Sequence, residues 1–219
     1  MKKLFFSYLF IFSSHFAWTQ VSAGPFAGVN FSKVAGGNIT NKFKTGYFAG
    51  AFLKFDITNT IAFQPEMLYS SQGFKQQASF VKSGVSTDTN LTHSLSYIEF
   101  PFLLNLSVAG NGFVHFGPQI GYIVNAKKKG SISTESNGSV QTETINTSDI
   151  YGFSTTEYAL VIGGGYRFIF GLDASVHFTY GITKLYTATG GHNFVIGISV
   201  GYKIGRYNAQ SGDRIYKQL

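Results

Sequence analysis

The chain has 219 residues, of which 17% are aromatic and only 12% charged, with 26 Gly and no Cys. Soluble domains carry about 25% charge, so a water-facing globule of this composition would lack solubilising groups, while the scarcity of charge also excludes a disordered chain. No stretch of the length a helical span needs is free of polar, Gly or Pro interruption. The lack of Cys excludes disulfide scaffolds, Cys-based zinc sites, thiol catalysis and a lipid-modified N-terminal Cys. What remains suits β-structure whose outer face meets lipid.

Lys2 and Lys3 precede an apolar, aromatic run from Leu4 to Phe12, followed by the small-residue patterns Ala17-Trp18-Thr19 and Val21-Ser22-Ala23. This layout predicts a signal peptide over residues 1–20, cleaved near 19–23, and hence export. A buried N-terminal helix is the competing reading. Losing Lys2 and Lys3 lowers the formal charge from +7 to +5. The remaining cations form no stripe able to neutralise a phosphate backbone, so nucleic acid is not an expected partner.

From Gly24 onward, segments of about ten residues are apolar on one parity and polar or small on the other, as in a sheet with two different faces. Gly24–Ser32 is the weakest, with Val29 and Phe31 opposite Asn30 and Ser32. Thr45–Ile57 sets Tyr47, Leu53 and Phe55 against Lys54 and Asp56; Ile61–Gly73 sets Phe63, Met67 and Tyr69 against Gln64 and Glu66. Ser94–Leu106 sets Ile98, Phe100 and Phe102 against Glu99 and Asn105; Phe113–Val124 sets Val114, Phe116 and Tyr122 against His115 and Gln119. Glu157–Phe168, Leu172–Ile182 and Asn193–Ile204 keep the rule, with Arg167, Asp173, His177 and Lys203 on the polar parity.

The gaps alternate long and short: Lys33–Lys44, Thr58–Thr60, Phe74–His93, Ser107–Gly112, Asn125–Thr156, Ile169–Gly171 and Thr183–His192. Outer-membrane barrels have short periplasmic turns and long extracellular loops. The expectation is therefore an all-β, eight-stranded antiparallel transmembrane barrel over residues 21–205, of the small OmpA/OmpX type, with residues 206–219 as a short periplasmic tail. A soluble barrel of lipocalin type would turn its polar face to water, and about one charge per strand is too sparse for that. Tyr47, Tyr69, Tyr122, Tyr158, Tyr180 and Tyr202, near strand ends on the apolar parity, are expected to anchor at the two bilayer interfaces. Gly163-Gly164-Gly165 falls inside a strand and is no phosphate loop.

Three stretches, Gln64-Pro65-Glu66-Met67-Leu68-Tyr69-Ser70, Tyr97-Ile98-Glu99-Phe100-Pro101-Phe102-Leu103-Leu104 and Gly117-Pro118-Gln119-Ile120-Gly121, together resemble the PorT-type outer-membrane β-barrel family of Gram-negative bacteria. The resemblance covers about Gly24 to Gly205 and implies location and architecture, with an association of the namesake with secretion and gliding machinery. It departs at the C-terminus, where Tyr202 and Ile204 are followed by the tail rather than ending the chain on an aromatic.

Glu66 and Glu99 are the most conspicuous pair, on neighbouring strands of the inner face. Paired carboxylates can serve as acid and base, but an eight-stranded barrel has room only for its own side chains. The reading is a structural plug, with these carboxylates satisfied by Lys or Arg and by Gln64, Gln119 or Asn105. Lys54, Arg167, Asp173 and Lys203 form a second layer of the plug near the periplasmic ends of their strands. His115 and His177 lack zinc-site spacing. Ser94 beside His93 is poor triad geometry because adjacent strand residues face opposite ways. No cofactor, metal or catalytic residue is expected.

Lys127, Lys128 and Lys129 open the longest loop, a polar stretch centred on the hairpin dipeptide Asn137-Gly138, which predicts that the flanking strands continue as a hairpin above the membrane, with Phe74–His93 similar; the lysines are either a contact to anionic lipopolysaccharide or a solvated cluster. The partners expected are outer-membrane lipid, the barrel-assembly machinery during insertion and an envelope protein, for a monomer acting in surface interaction, envelope integrity or as an anchor for a secretion or gliding complex. The alternative is a rim-site lipid-modifying enzyme.

Overall fold

The computed structural model describes residues 20–36, 41–82, 84–108, 110–136, 138–150, 152–186 and 190–204. The expected signal peptide and the tail 206–219 lie outside the described residues. Among the described residues there are nine strands: β1 (Gln20–Ala35), β2 (Asn41–Asp56), β3 (Ile61–Lys82), β4 (Val85–Ser107), β5 (Gly112–Ser136), β6 (Ser139–Ser148), β7 (Thr156–Arg167), β8 (Leu172–Tyr186) and β9 (Gly190–Tyr202). All pairings are antiparallel, and β4–β5 together with β1–β9 close the sheet into a ring. The ring contains eight strands, because β6 pairs only with β5 and lies beyond it.

The period-2 pattern sorts the side chains as expected. Outward positions are apolar and exposed, among them Met67 at 57%, Ile162 at 63% and Tyr158 at 52%. Inward positions are buried and include Asn30, Ser70, Gln72, Glu99, Asn105 and Gln119. An exposed apolar belt around a buried polar interior reverses the order of a water-soluble domain and matches a wall bathed in hydrocarbon. Tyr69 pairs with Ile98, Ile98 with Tyr122, and Tyr180 with Phe194, which sets these tyrosines in a ring at one end of the belt. Tyr202 pairs with Leu172 at the other end, where Tyr166, Phe168 and Phe170 pack ring to ring.

The three stretches that carry the family resemblance lie side by side on β3, β4 and β5. Each holds a proline inside a strand, and a proline has no N–H to give the ladder. The pairing skips two positions from Pro65↔Phe102 to Leu68↔Glu99, and again from Pro101↔Gln119 to Leu104↔Phe116.

The long connections take the hairpin form expected of them. Phe74–His93 is a β-hairpin, with Phe74↔His93 through Lys82↔Val85 in continuous register. The first part of Asn125–Thr156 is a second hairpin, from Lys127↔Ser148 to Ser136↔Ser139, turning at Gly138 with φ +77°. β3, β4, β5 and β6 therefore rise beyond the tyrosine ring as a four-stranded sheet. Alternation fades there in the sequence because both faces meet water once the strand leaves the apolar belt, while the backbone ladder continues unchanged.

Gly28 shows how narrow the ring is. A Cβ at this position would run into the carbonyl of Ile198 and the ring of Phe48. Gly28→Val is expected to destabilise the barrel by about 1–3 kcal/mol through overpacking. The temperature at which the folded, fast-migrating species is lost on semi-native electrophoresis should fall; an unchanged transition contradicts the close packing.

Candidate functional site

The interior of the ring is layered. At the end with the short turns, Arg167 and Asp173 sit on paired positions of β7 and β8 and form an ion pair at 3.5 Å. Lys54 on β2 and Lys203 after β9 both reach Asp56, each at 4.0 Å. The guanidinium of Arg167 also lies 5.2 Å from the ring centre of Phe113. Lys54, Arg167, Asp173 and Lys203 are thus brought together, with Asp56 as the anion that sequence reasoning left out of the cluster.

Above this layer the lumen is filled by aromatic rings and histidines. Phe26 packs on Phe48 and Phe52, with ring centres 6.2 and 6.5 Å apart. Phe48 meets His177 edge-on at 5.3 Å, and Phe113 lies 5.9 Å from His115. Among the described residues no group of three or more His, Cys, Asp or Glu is arranged to hold a metal ion.

Glu66 and Glu99 find the carboxamides expected of them, Gln64 and Gln119, but not the expected cations. Among the described residues neither has a Lys or Arg ion-pair partner; their partners are carboxamides. Gln64 Nε2 donates to Glu66 Oε1 at 2.8 Å, and Asn105 Nδ2 donates to Gln64 Oε1 at 3.3 Å. Gln72 Nε2 donates to Glu99 Oε1 at 2.7 Å, and Gln119 also bonds Glu99. Phe52 pairs with Glu66, so Lys54 lies one inward position nearer the short turns, where Asp56 engages it together with Lys203.

Gln72 is the hub of the upper layer, and sequence reasoning missed it. Its Nε2 also donates to Ser70 Oγ at 2.9 Å, and its Oε1 accepts from Asn193 Nδ2 at 2.6 Å. Asn193 in turn reaches Glu157 Oε2 at 3.4 Å, and Asn30 Nδ2 donates to Ser70 Oγ at 3.2 Å. Strands β1, β3, β4, β7 and β9 are tied across the lumen by this one network. The signal that could have found it is an uncharged amide on the inner parity, which looks like any polar residue until the barrel closes.

The space left in the lumen is about 60 Å³. That holds a few ordered waters and falls well short of the roughly 300 Å³ that small-molecule sites begin at.

An apolar plug closes the mouth beyond the tyrosine ring. Phe74, Leu95, Tyr97, Ile123, Ala126, Leu185 and Val34 form one buried cluster, and Ile150 and Phe153 pack onto it from the segment between β6 and β7. That segment is pinned by Asp149 N to Ala126 O, Ser154 N to Leu185 O and Ser154 Oγ to Lys184 O. His93 stacks on Phe74 at 4.4 Å with the rings 10° apart, and Phe153 meets it edge-on. Its neighbour Ser94 faces outward, so the two side chains diverge as expected. Lys127, Lys128 and Lys129 split in the same way: Lys128 pairs with His93 on the inner face, while Lys127 and Lys129 pair with Ser94 and Thr92 on the outer face.

Two predictions follow from this interior. Gln72→Leu keeps the volume and strips three hydrogen bonds, leaving Glu99 and Asn193 short of partners; it is expected to cost about 2–4 kcal/mol, read as a lower urea midpoint for the barrel in vesicles. For His93, burial lowers the pKa from 6.5 to about 4, with a smaller contribution from Lys128. Between pH 6.5 and 4 the unfolded chain then binds the proton more readily than the folded one, so stability contributed by neutral His93 is present above pH 6.5 and is lost as the pH falls towards 4. His93→Phe keeps the stack and removes the proton, so its unfolding transition should depend less on pH across this window than that of the parent protein. Identical slopes contradict the assignment.

Residues 12–187 match the family described as outer membrane protein beta-barrel domain. No curated protein matches the chain. Among solved structures, the chain is similar to the attachment invasion locus protein Ail of Yersinia pestis at 11% identity, with 84% of this chain and 99% of that one covered and a TM-score of 0.46. Neisserial surface protein A is 14% identical, over 84% and 97% of the two chains, with a TM-score of 0.41. The outer membrane protein OprG of Pseudomonas aeruginosa is 12% identical, over 86% and 96%, with a TM-score of 0.39. The family match spans most of the residues that form the closed ring and its exposed apolar belt: the chain belongs to the outer membrane protein beta-barrel domain family and resides in the outer membrane.

Proposed function

We propose that this barrel is a non-enzymatic surface-interaction protein whose contact element is the projecting sheet of β3 to β6, directed at another protein of the envelope or its exterior. The observation that carries this reading is the sheet itself: four strands extend beyond the tyrosine ring, and the outermost, β6, offers an edge that pairs with nothing among the described residues. Its tip holds apolar side chains in water, with Phe80 55%, Val81 73% and Val140 62% exposed. Exposed apolar groups on an otherwise polar projection mark a contact site. The filled lumen favours this reading over a conduit.

Service as an anchor for a secretion or gliding complex, in line with the PorT-type resemblance, is one form this role takes. The rim-site enzyme has less support, since His93 is buried in the aromatic plug and Ser94 points away from it, and His192 is engaged at 2.9 Å with the carbonyl of Gly181.

Chemical crosslinking in intact outer membranes tests the reading with the double variant Phe80→Ser, Val81→Asp. The parent protein should give a stoichiometric adduct with a second protein that the variant loses, while the heat-induced mobility shift of the barrel stays unchanged. Equal adduct yields from both would overturn the assignment to the tip, and an altered lipid profile in a deletion strain would favour the enzyme.

A further inference from the structure

The outward face of the projecting sheet carries a second feature, at its base rather than at its tip. The register sets Lys75 of β3, Thr92 of β4, Lys129 of β5 and Asn146 of β6 in one row across the sheet, with Ser94 and Lys127 in the row below. Directly paired residues share a face, and Thr92 and Ser94 continue the parity of Ile98, Phe100 and Phe102 on β4, which face the lipid. The three lysines therefore stand on the same face as the apolar belt, just beyond its tyrosine ring. Lys127 follows Tyr122 by five residues and Lys75 follows Tyr69 by six, which at about 3.3 Å per residue and a tilt of about 40° puts their Cα atoms roughly 13–15 Å above the ring. Lysine stems reach back along such a wall while the ammonium seeks polar company.

None of the three lysines has an acidic partner among the described residues, and all three are exposed. On this face the acids are Asp88 and Glu135, both near the far tip, paired by register with Ser133 and Ser86. Charge is thus ordered along the projection, with cations next to the membrane and anions away from it. Lys75 and Lys129 lie two strands apart, about 10 Å, and Lys127 is one outward position below Lys129. Three unpaired cations flanked by hydroxyl and amide donors make a surface for an anion bearing several oxygens.

We propose that Lys75, Lys127 and Lys129 form a binding site for the phosphorylated headgroup of an outer-leaflet glycolipid, whose acyl chains lie against the belt below. Lys33 serves differently, because its ammonium sits 4.8 Å from the ring centre of Phe43 in another sector of the wall. Lys128 has the inner face and belongs to the mouth plug. The site is independent of the protein contact at the tip, from which the two hairpins separate it.

The test uses the full-length protein in phosphatidylcholine nanodiscs, titrated with bisphosphorylated lipid A and with the same lipid stripped of its phosphates, with bound lipid counted by native mass spectrometry. The parent protein and Lys128→Gln should retain bisphosphorylated lipid A, while the triple variant Lys75→Gln, Lys127→Gln, Lys129→Gln binds it at least about tenfold more weakly. Semi-native electrophoresis confirms that each variant is folded, and exposed Lys→Gln changes leave that transition in place. Equal affinity of the triple variant and the parent overturns the proposal, as does equal retention of the dephosphorylated lipid. Displacement of the lipid by millimolar inorganic phosphate would assign the lysines to free anions instead and also overturns it.

Discussion

A strand in hydrocarbon must have its N–H and C=O groups paired within the protein, because no water is there to take them. Every other feature of this structure answers to that demand. The ladder is completed by joining β4 to β5 and β1 to β9, so the ring has no edge inside the apolar belt. Closure with eight strands makes the lumen narrow, and narrowness in turn decides what the inward residues can do. The prolines at 65, 101 and 118 interrupt the ladder locally on three adjacent strands, which the surrounding register tolerates because pairing resumes two or three residues on.

A narrow lumen cannot hydrate its polar side chains freely, so its ionised groups and carboxamides are drawn to one another. Ionised groups gather where the lumen approaches the short turns, with Asp56 and Asp173 serving Lys54, Lys203 and Arg167. Deeper in, the carboxyl groups of Glu66, Glu99 and Glu157 take carboxamide donors, which carry no charge of their own to desolvate. Gln72 ties the upper part of that network together. The plug at the mouth is then apolar, with Ile150 and Phe153 folded over Phe74, Leu95 and Leu185.

That sheet is where the wall stops facing lipid. The same strands run on, with one shift in register between β4 and β5, but the surroundings change from hydrocarbon to headgroup and then to water. Side chains follow the change along the outer face: tyrosines first, then lysines among hydroxyl groups, then acids and bare apolar groups at the tip. One continuous β-structure thus presents different chemistry at different heights. The proposed membrane contact and the proposed protein contact fall on separate stretches of it.

The alternation of Tyr47, Leu53 and Phe55 against Lys54 and Asp56, and its repeats, was legible in the sequence because lipid and lumen impose opposite demands on adjacent residues. It determined the strands within the belt, their faces, the number that close the ring and the end at which the short turns lie. Beyond Phe74 and Asn125 both faces meet water and the two demands merge; Asn137-Gly138 and the polar stretch around it signalled a hairpin there, but the joining of the two hairpins into one four-stranded sheet was decided by the ladder. Gln64 and Gln119 were foreseen as partners of Glu66 and Glu99, but the role of Gln72 and the lack of a cation beside either carboxyl group were beyond sequence reasoning. They depend on height within the closed ring, which decides that Gln72 and Asn193, 121 residues apart, meet in the lumen while Lys54 and Lys203 do not reach them. That Lys128 rather than its two neighbours takes the inner face was decided by the shift in register between Ser96 and Tyr97. A period of two tells which residues share a face, and only closure of the sheet tells which faces meet.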